Sequence, residues 1–411
     1  MDSKFELLPA EVRRKVVRLL ELEHLKRLVS ASRIYYQQYL LDRKLILGQA
    51  LSRALPGVMH DAVAVHQTMN FAFAPDHSRV EIERWLRGYP GWQIDATEYL
   101  TEADLIGMTK FHLSRVAPML QSFSFQALNS QSIALEGHPL TGDPNFDFAL
   151  SESEQRRILR AIYRFQLGCN LFSKWDIKDG VTKWPSFSQE EICDLFLFKF
   201  EPWEIEEILC IHYQVTEFCD QILTSVQKDL DPENPRFDND RKSWDPVGSF
   251  DIANPAFKEL WVAELASEGL HFLHKLKFKM TSHEHLVMTI QENIGNNAVA
   301  FPGYSVDSYS LRRHDGRSPT ERDRRHERDD PLPFISDDDA QGPPFAWTVM
   351  WKGLYTNIFG ESIDDEGKEL RSWGYVMWDK SRMERQGGVR LLEERWGSEL
   401  VEGADPRYRR Y

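Results

Sequence analysis

Four histidines in the second half of the chain are the first residues whose spacing could do chemistry, as metal ligands. His271 and His274 are one helical turn apart, and His283 and His285 follow a few residues later. A zinc site needs three or four converging ligands with an oriented surrounding shell. Alternate residues of a helix point to different faces, so His283 and His285 cannot both join the first pair. The spacing favours surface or interhelical histidines, and we predict no metal site.

Cysteine and aspartate give no stronger indication of catalysis. Cys210 and His212 are two residues apart in a helical pattern, which places them about 200° apart around the helix axis. The other three cysteines lie on apolar stripes, where cysteine acts as a small hydrophobic residue. Residues 337–339 are three consecutive aspartates that could bind magnesium, but no phosphate-binding glycine loop accompanies them. We therefore predict no catalytic residue, no cofactor and no enzymatic activity.

Aromatic residues crowd together in the C-terminal quarter of the chain and are the remaining candidates for binding. Aromatic side chains are enriched among the residues that dominate binding interfaces. They also build hydrophobic cores, and so many rings in so short a segment favour the core. The alternative, a surface facing a substrate, would use Trp347, Trp351, Trp373, Tyr375 and Trp378.

Composition excludes several classes of function. The chain has 411 residues, with 50 Lys and Arg against 64 Asp and Glu, and its net charge of −14 disfavours binding to nucleic acid. Hydrophobic residues at 42% predict a folded protein with a sizeable core. The four cysteines are too few for a disulfide framework, which indicates a reducing compartment. With no apolar run long enough for a signal peptide or a membrane span, we expect a cytoplasmic or nuclear protein with no membrane partner.

Helical periodicity dominates the chain and predicts a mainly α-helical fold. Ser151 with Glu154 forms a capping box that starts one amphipathic helix, and Pro202 starts the longest one, over about residues 203–228. A helical array is expected over residues 58–131. Loops are expected near residues 136–148, 229–250 and 305–344, where proline, glycine and charged residues break the pattern. The whole is a large, irregular helical domain with an aromatic-rich C-terminal region.

The N-terminal segment has the most specific pattern. Leu8-Pro9 followed by Glu11 predicts a helix entry, because proline fits the first turn and a carboxylate there faces the positive end of the helix dipole. Apolar residues then recur at steps of three and four, and the pattern restarts near Leu25. We expect two short helices joined by a polar corner, neither of which is stable alone.

This segment resembles the F-box, and more broadly the fungal F-box-like proteins. The likeness covers the Leu-Pro-x-Glu start, the aliphatic pairs one turn later, the Leu-x-x-Leu of the second helix, and an aromatic ending in which Tyr35 stands where tryptophan is usual. It extends more weakly to residues 31–32 and 39–43. The C-terminal half, especially Arg322 through Trp351 and Trp373 through Asp379, resembles the C-terminal region of the same fungal group. The residues that carry the F-box pattern are Leu8, Pro9, Glu11, Val12, Val16, Val17, Leu20, Leu25, Leu28, Ser32, Arg33 and Tyr35.

The resemblance implies a function in protein turnover. An F-box-like helical module (residues 1–55, including its connecting helix) would dock on the Skp-type adaptor of a cullin–RING ubiquitin ligase. The large helical domain (residues 56–411) would recruit an unknown protein substrate. The adaptor surface would be formed or supported by Leu8, Pro9, Glu11, Val12, Val16, Leu20, Leu25, Leu28 and Tyr35. Two alternatives stay open: a non-catalytic helical scaffold that has lost the adaptor, and an enzyme of unrecognised type with a pocket near residues 271–285 or 337–339.

Overall fold

The computed structural model is mainly α-helical, as the periodicity predicts. It describes residues 5–73, 79–89, 99–137, 149–173, 175–178, 182–185, 187–230, 255–280, 282–294, 301–303, 305–306, 308–309, 334–338, 342–350 and 365–401. Within these residues one hydrophobic cluster extends from Val17 near the N-terminus to Leu392 near the C-terminus. Buried side chains therefore connect the N-terminal helices to the rest of the chain.

Four short helices begin the chain: α1 (Ala10–Leu19), α2 (Leu22–Ala31), α3 (Arg33–Leu41) and α4 (Arg43–Ala54). The predicted second helix is divided at Ser32, which has an extended backbone and whose hydroxyl accepts a hydrogen bond from the backbone N–H of Tyr35. Serine competes well for this N-cap position, so a new helix starts there. We call α1, α2 and α3 the N-terminal module.

The fourth helix attaches the N-terminal module to the following array. That array consists of α5 (Met59–Phe73), α6 (Arg79–Gly88), α7 (Glu102–Phe111), a π-helical turn (His112–Val116) and α8 (Ala117–Glu136). Helix α4 packs on α7, and Arg43 at its start forms an ion pair with Glu102 at the start of α7. The predicted helical array over residues 58–131 is confirmed where the structure describes it.

Helix α9 (Glu152–Phe172) is the central element of the fold. The predicted capping box is present, because the Ser151 hydroxyl accepts from the Glu154 N–H and the Glu154 carboxylate accepts from the Ser151 N–H. Residues 157–172 are buried without interruption, so both the apolar and the polar faces of α9 are covered. Helix α5 packs on one side and α11 on another.

The polar sequence between residues 174 and 188 predicts a loop, but a short antiparallel hairpin follows α9, with strands β1 (Trp175–Lys178) and β2 (Thr182–Pro185). Then come α10 (Gln189–Leu195), a 3₁₀ turn (Leu197–Lys199) and the long α11 (Pro202–Leu230), which confirms the helix predicted over 203–228. The spacing of Phe257, Trp261, Leu265 and Phe272 predicts one helix. Two are present, α12 (Pro255–Ser267) and α13 (Gly269–Phe278), because Gly269 has a left-handed φ of 76°. Helix α14 (His283–Asn293) lies where the sequence from Ser282 towards Asn293 predicts a further helix.

Buried ion pairs join α9 to α5 and α11. The Arg160 guanidinium binds Glu207 with Nε–Oε2 at 2.8 Å and also reaches Glu204, with Nη1–Oε1 at 2.9 Å. Arg164 binds Glu204 at 3.1 Å and Asp61 of α5 at 3.2 Å. Burial alone would raise the pKa of Glu204, but Arg164 and Arg160 outweigh it and lower that pKa to about 2. Each buried charge thus has an opposite charge beside it, which is the condition for burying ions.

The C-terminal helices return to the start of α9. They are α15 (Phe345–Met350), α16 (Asp365–Ser372), α17 (Lys380–Arg385) and α18 (Gly388–Val401), with a 3₁₀ turn (Tyr375–Met377) after α16. Arg382 binds the Glu154 carboxylate with Nε–Oε1 at 2.7 Å, and Arg157 binds Asp379 with Nη1–Oδ1 at 2.8 Å. The C-terminal segment is therefore held on the first turns of α9 by these two ion pairs.

The expected loops fall largely outside the described residues. Residues 138–148, 231–250 and 310–333 are not described. Helix α4 ends at Ala54 and is followed by a turn in which Gly57 has a φ of 72°, at the predicted boundary between residues 1–55 and 56–411. The division into two domains stays a prediction.

Candidate functional site

The N-terminal module has a small core of its own. Val17 of α1, Leu22 and Leu25 of α2 and Tyr35 of α3 are all buried. Helix α4 packs against all three helices of the module, and its Ile46 is completely buried. This packing fixes the mutual orientation of three helices that are too short to be stable alone.

The residues before α1 are held against α3. Phe5 stacks on the Tyr35 ring with centroids 5.1 Å apart, and the Tyr35 hydroxyl donates to the Phe5 carbonyl at 2.9 Å. Ser32 donates a hydrogen bond from its hydroxyl to the Glu6 carboxylate. Helix α1 then begins at Ala10 after Pro9, with Glu11 in its first turn, as the sequence predicts. Tyr35 therefore positions the entry of α1 from inside the module.

The outer side of α1 is apolar and exposed. Val12 is 42% exposed and Leu19 is 75% exposed. At 100° per residue these two lie on the side of the helix opposite Val17, the one residue of α1 that is buried. The apolar stripe expected to be buried by α1 is thus only partly covered within this chain.

Exposed apolar side chains are concentrated in this part of the molecule. Of 17 large hydrophobic residues that are exposed among the described residues, nine lie between residues 5 and 45. Single exposed hydrophobics are normal, whereas such a concentration is typical of interaction surfaces. Besides Val12 and Leu19 they are Phe5, Leu7, Ile34, Tyr36, Leu40, Leu41 and Leu45.

The residues expected at the adaptor surface divide into two groups. Pro9, Glu11 and Val12 are exposed, and Leu8, Val16, Leu20 and Leu28 are half-buried at the edge of the module core. The second group contains Leu25 and Tyr35, which are buried. Neither Leu25 nor Tyr35 can contact a partner, so their place is in support of the surface and not on it.

Charged residues close the end of α1. Arg53 of α4 donates from Nη2 to the carbonyls of Arg18 and Leu20, at 2.7 and 2.9 Å, and so caps the last turn of α1. Arg14 binds the Asp42 carboxylate, and this hydrogen bond lowers the pKa of Asp42. The module is thereby tied to α4 at both of its flanks.

The aromatic candidates of the C-terminal region are core residues. Trp347, Trp373, Tyr375 and Trp378 are completely buried, and the Trp378 indole donates to the Trp373 carbonyl at 2.7 Å. These four rings present no surface to a substrate. Trp351 lies outside the described residues.

The candidate metal ligands do not converge. His271 accepts from Arg115 at 3.4 Å, His274 packs beside Phe278, and His283 contacts Asp229 at 2.5 Å. No group of three or more possible ligands occurs in the described part of the chain. All four cysteines are buried, and burial raises the pKa of the Cys169, Cys210 and Cys219 thiols, which opposes formation of a nucleophilic thiolate.

A hollow of about 550 Å³ lies beside Asp337 and Asp338, where the enzyme alternative requires a pocket. Asp337 binds Arg157 at 3.3 Å and accepts from the Lys380 N–H at 3.2 Å, and burial raises the pKa of its carboxyl. Ser153 donates to Asp379 at 2.8 Å. These polar groups bind one another and hold the C-terminal helices on α9, which gives them a structural role. Asp339 lies outside the described residues.

Three exposed apolar residues of the N-terminal module and α4 are not predicted by the sequence pattern. Periodicity alone predicts Leu19 on the buried stripe of α1 and Leu41 and Leu45 within a continuing helical pattern, whereas all three side chains are exposed. The sequence signal that indicates an exposed apolar side is the seven-residue step from Val12 to Leu19, which puts these two residues on the same side of α1 as Lys15.

Comparison with known proteins gives no match. No protein-family model, no curated protein and no solved structure is similar to this chain at a significant level. Among the described residues, none of the helices combines the length and the apolar character needed to span a bilayer. The interpretation of the surface therefore depends on its own geometry and on the sequence pattern.

Proposed function

We propose that the N-terminal module docks on the Skp-type adaptor of a cullin–RING ubiquitin ligase and that the large helical domain recruits a protein substrate. The observation that carries the proposal is the outer side of α1, where Val12 and Leu19 stay exposed although the module has a complete core beneath them. A helix that only covered the following domain would bury this side.

The separation of buried from accessible residues within the module supports the proposal. Leu25 and Tyr35 hold the helices together from inside, which leaves Pro9, Val12 and the edges of Val16 and Leu28 available to a partner. Half-buried aliphatic residues around an exposed one are suited to an interface, because a partner can complete their burial.

The proposed activity is positional. The protein carries no catalytic step itself; it holds a substrate near an enzyme bound to the same scaffold and so raises the local concentration of the substrate. The attachment of the module through α4, with the Arg43–Glu102 ion pair, would keep the distance between adaptor and substrate defined.

Co-purification with a Skp-type adaptor tests the proposal, with Val12→Glu as the variant. The added carboxylate would face the adaptor's apolar surface, and we expect recovery of adaptor to fall about tenfold or more, as for desolvation of an unpaired charge in an interface. Glutamate in the first turn of α1 is favoured by the helix dipole, so the fold is expected to persist.

Val80→Glu is the matched control. Val80 is 60% exposed and lies in the first turn of α6, so the same substitution is made in an equivalent helical position outside the module. We expect this variant to recover as much adaptor as the wild type. Equal recovery with all three proteins would reject the adaptor proposal and favour the scaffold that lacks adaptor binding; so would the absence of adaptor from the wild-type preparation.

A further inference from the structure

A groove of about 930 Å³ lies where the second half of α1 passes α4 and α7. Its apolar lining consists of Leu19 of α1, Leu45 of α4 and Leu105 of α7. Leu19 and Leu45 are 75% and 44% exposed, whereas Leu105 is buried at the bottom. Gly48 has no side chain, so α4 does not protrude into the groove at this position. The result is an open channel with an apolar floor.

The rim of the groove is positively charged. Four of its ten lining residues are Lys15, Arg18, Lys44 and Arg53, and none of the ten is acidic. Arg53 is engaged with the carbonyls at the end of α1, and Arg18 approaches Asp42 at 3.7 Å. Lys15 and Lys44 are exposed and form no ion pair with any described residue. A cationic rim on a chain of net charge −14 is a local reversal of the overall charge.

We propose that this groove binds an acidic amphipathic helix of a partner protein. Apolar side chains at steps of three and four would contact Leu19, Leu45 and Leu105, and carboxylates on the flanks would meet Lys15 and Lys44. Helix α4 has 12 residues and is about 18 Å long, which accommodates three turns of a partner helix. The ligand class follows from the combination of an apolar floor with unpaired cations.

Leu19 belongs both to the groove and to the exposed side of α1 on which the adaptor proposal depends, whereas the other nine lining residues lie outside the set expected at the adaptor surface. The charged rim distinguishes the two proposals, because neither Lys15 nor Lys44 belongs to that set. Nucleic acid fits the groove less well, because phosphates would meet an apolar floor and the repulsion of the remaining chain. It is therefore an outcome of the test and not the proposal.

The test uses the full chain and a fluorescent synthetic helix of about 14 residues, with leucines on one face and glutamates on the other, in a fluorescence anisotropy titration. Lys15→Glu with Lys44→Glu is expected to weaken binding about tenfold or more at low salt, because like charges then face each other. A basic peptide, with lysine in place of each glutamate, should bind the double variant more tightly than the wild type.

Three controls make the result specific. Lys110→Glu with Lys279→Glu makes the same change in net charge at exposed positions outside the groove and is expected to leave binding unchanged. A peptide of the same composition with its leucines distributed around the helix should not bind. Leu19→Ser should weaken binding, whereas Leu260→Ser on α12 should not.

Two results would overturn the proposal. One is an acidic amphipathic peptide that does not bind the wild type, or binds it no better than a single-stranded oligonucleotide of equal charge. The other is equal affinity for the wild type and the Lys15/Lys44 variant. Because the assay contains no adaptor, failure of the adaptor proposal would not alter either outcome.

Discussion

His112 is a buried titratable side chain with no charged partner among the described residues. It begins the π-helical turn after α7, and its Nδ1 lies 3.1 Å from the Tyr163 hydroxyl of α9. Burial lowers the pKa of His112 from 6.5 to about 4. Burial also lowers the pKa of His212 to about 3, with a further contribution from Arg371. Both imidazoles are therefore neutral in the folded protein at pH 5, whereas in the unfolded chain they are mostly protonated.

This difference predicts a pH dependence of stability. Because the pKa of His112 is lower in the folded protein than in the unfolded chain, the neutral imidazole contributes fully to the free energy of unfolding above pH 6.5. This contribution is lost as the pH falls from 6.5 towards 4. At pH 5 the contribution of His112 alone is expected to have fallen by roughly 2 kcal/mol. Urea unfolding at pH 7 and pH 5 measures it: His112→Gln should lose about 2 kcal/mol less than the wild type between these values. An equal loss in both proteins would show that His112 titrates normally.

At the scale of single residues, the sequence predicts helix α9 but not the burial of its charged side chains. The stripe of Ile158, Ile162 and Phe165 predicts an amphipathic helix with an exposed polar side. In the structure that polar side is buried, because Arg160 and Arg164 meet Glu204 and Glu207 of α11. Periodicity within one helix cannot reveal this pairing, since it depends on which second helix lies opposite.

At the scale of elements, strong local signals were sufficient where they existed. The capping box at Ser151 and Pro202 mark the starts of α9 and α11. Leu55-Pro56-Gly57, a sequence that predicts the end of a helix, follows the last residue of α4. The division between α2 and α3 was missed because Ser32 lies within an unbroken apolar period. The hairpin after α9 was missed because two four-residue strands are too short to show an alternating pattern.

Two helical glycines provide a prediction about packing between elements. A Cβ at Gly168 of α9 would lie 2.1 Å from the Phe301 ring, whereas a Cβ at Gly48 of α4 would lie 3.9 Å from Leu105. Alanine raises helix propensity by about 1 kcal/mol at either position. Overpacking costs about 1 to 3 kcal/mol and the gain in helix propensity offsets part of it, so Gly168→Ala should lower the free energy of unfolding by up to about 2 kcal/mol. Gly48→Ala should raise it by up to about 1 kcal/mol.

Urea unfolding of the two glycine variants under identical conditions measures both changes in the free energy of unfolding. The comparison is internally controlled, since both substitutions make the same chemical change within a helix. If both variants were more stable than the wild type, Phe301 would not pack against α9 as the structure has it.

At the scale of the whole molecule, burial is graded from the centre of α9 to the N-terminal module. Seventeen of the 21 residues of α9 are buried, and its first turns bind Arg382 and Asp379 from the other end of the chain. One residue of α1 is buried, and the module is tied to the remainder mainly through α4. Sequence periodicity identifies the helices but not this gradient, because the gradient arises from contacts between residues that are distant in sequence, such as Arg160 with Glu207 of α11, Arg164 with Asp61 of α5 and Arg157 with Asp379.

The gradient predicts the order in which backbone amides exchange with solvent. Hydrogen exchange measured by mass spectrometry should be slowest for the middle of α9, whose opening requires global unfolding, and much faster for α1, whose opening exposes little apolar surface. Helix α11 is a suitable internal reference, because its first half is buried against α9 and its second half has one buried stripe. Protection in α1 equal to that in α9 would mean that α1 opens only when the whole molecule unfolds, and the stability of the chain would then not follow the gradient of burial.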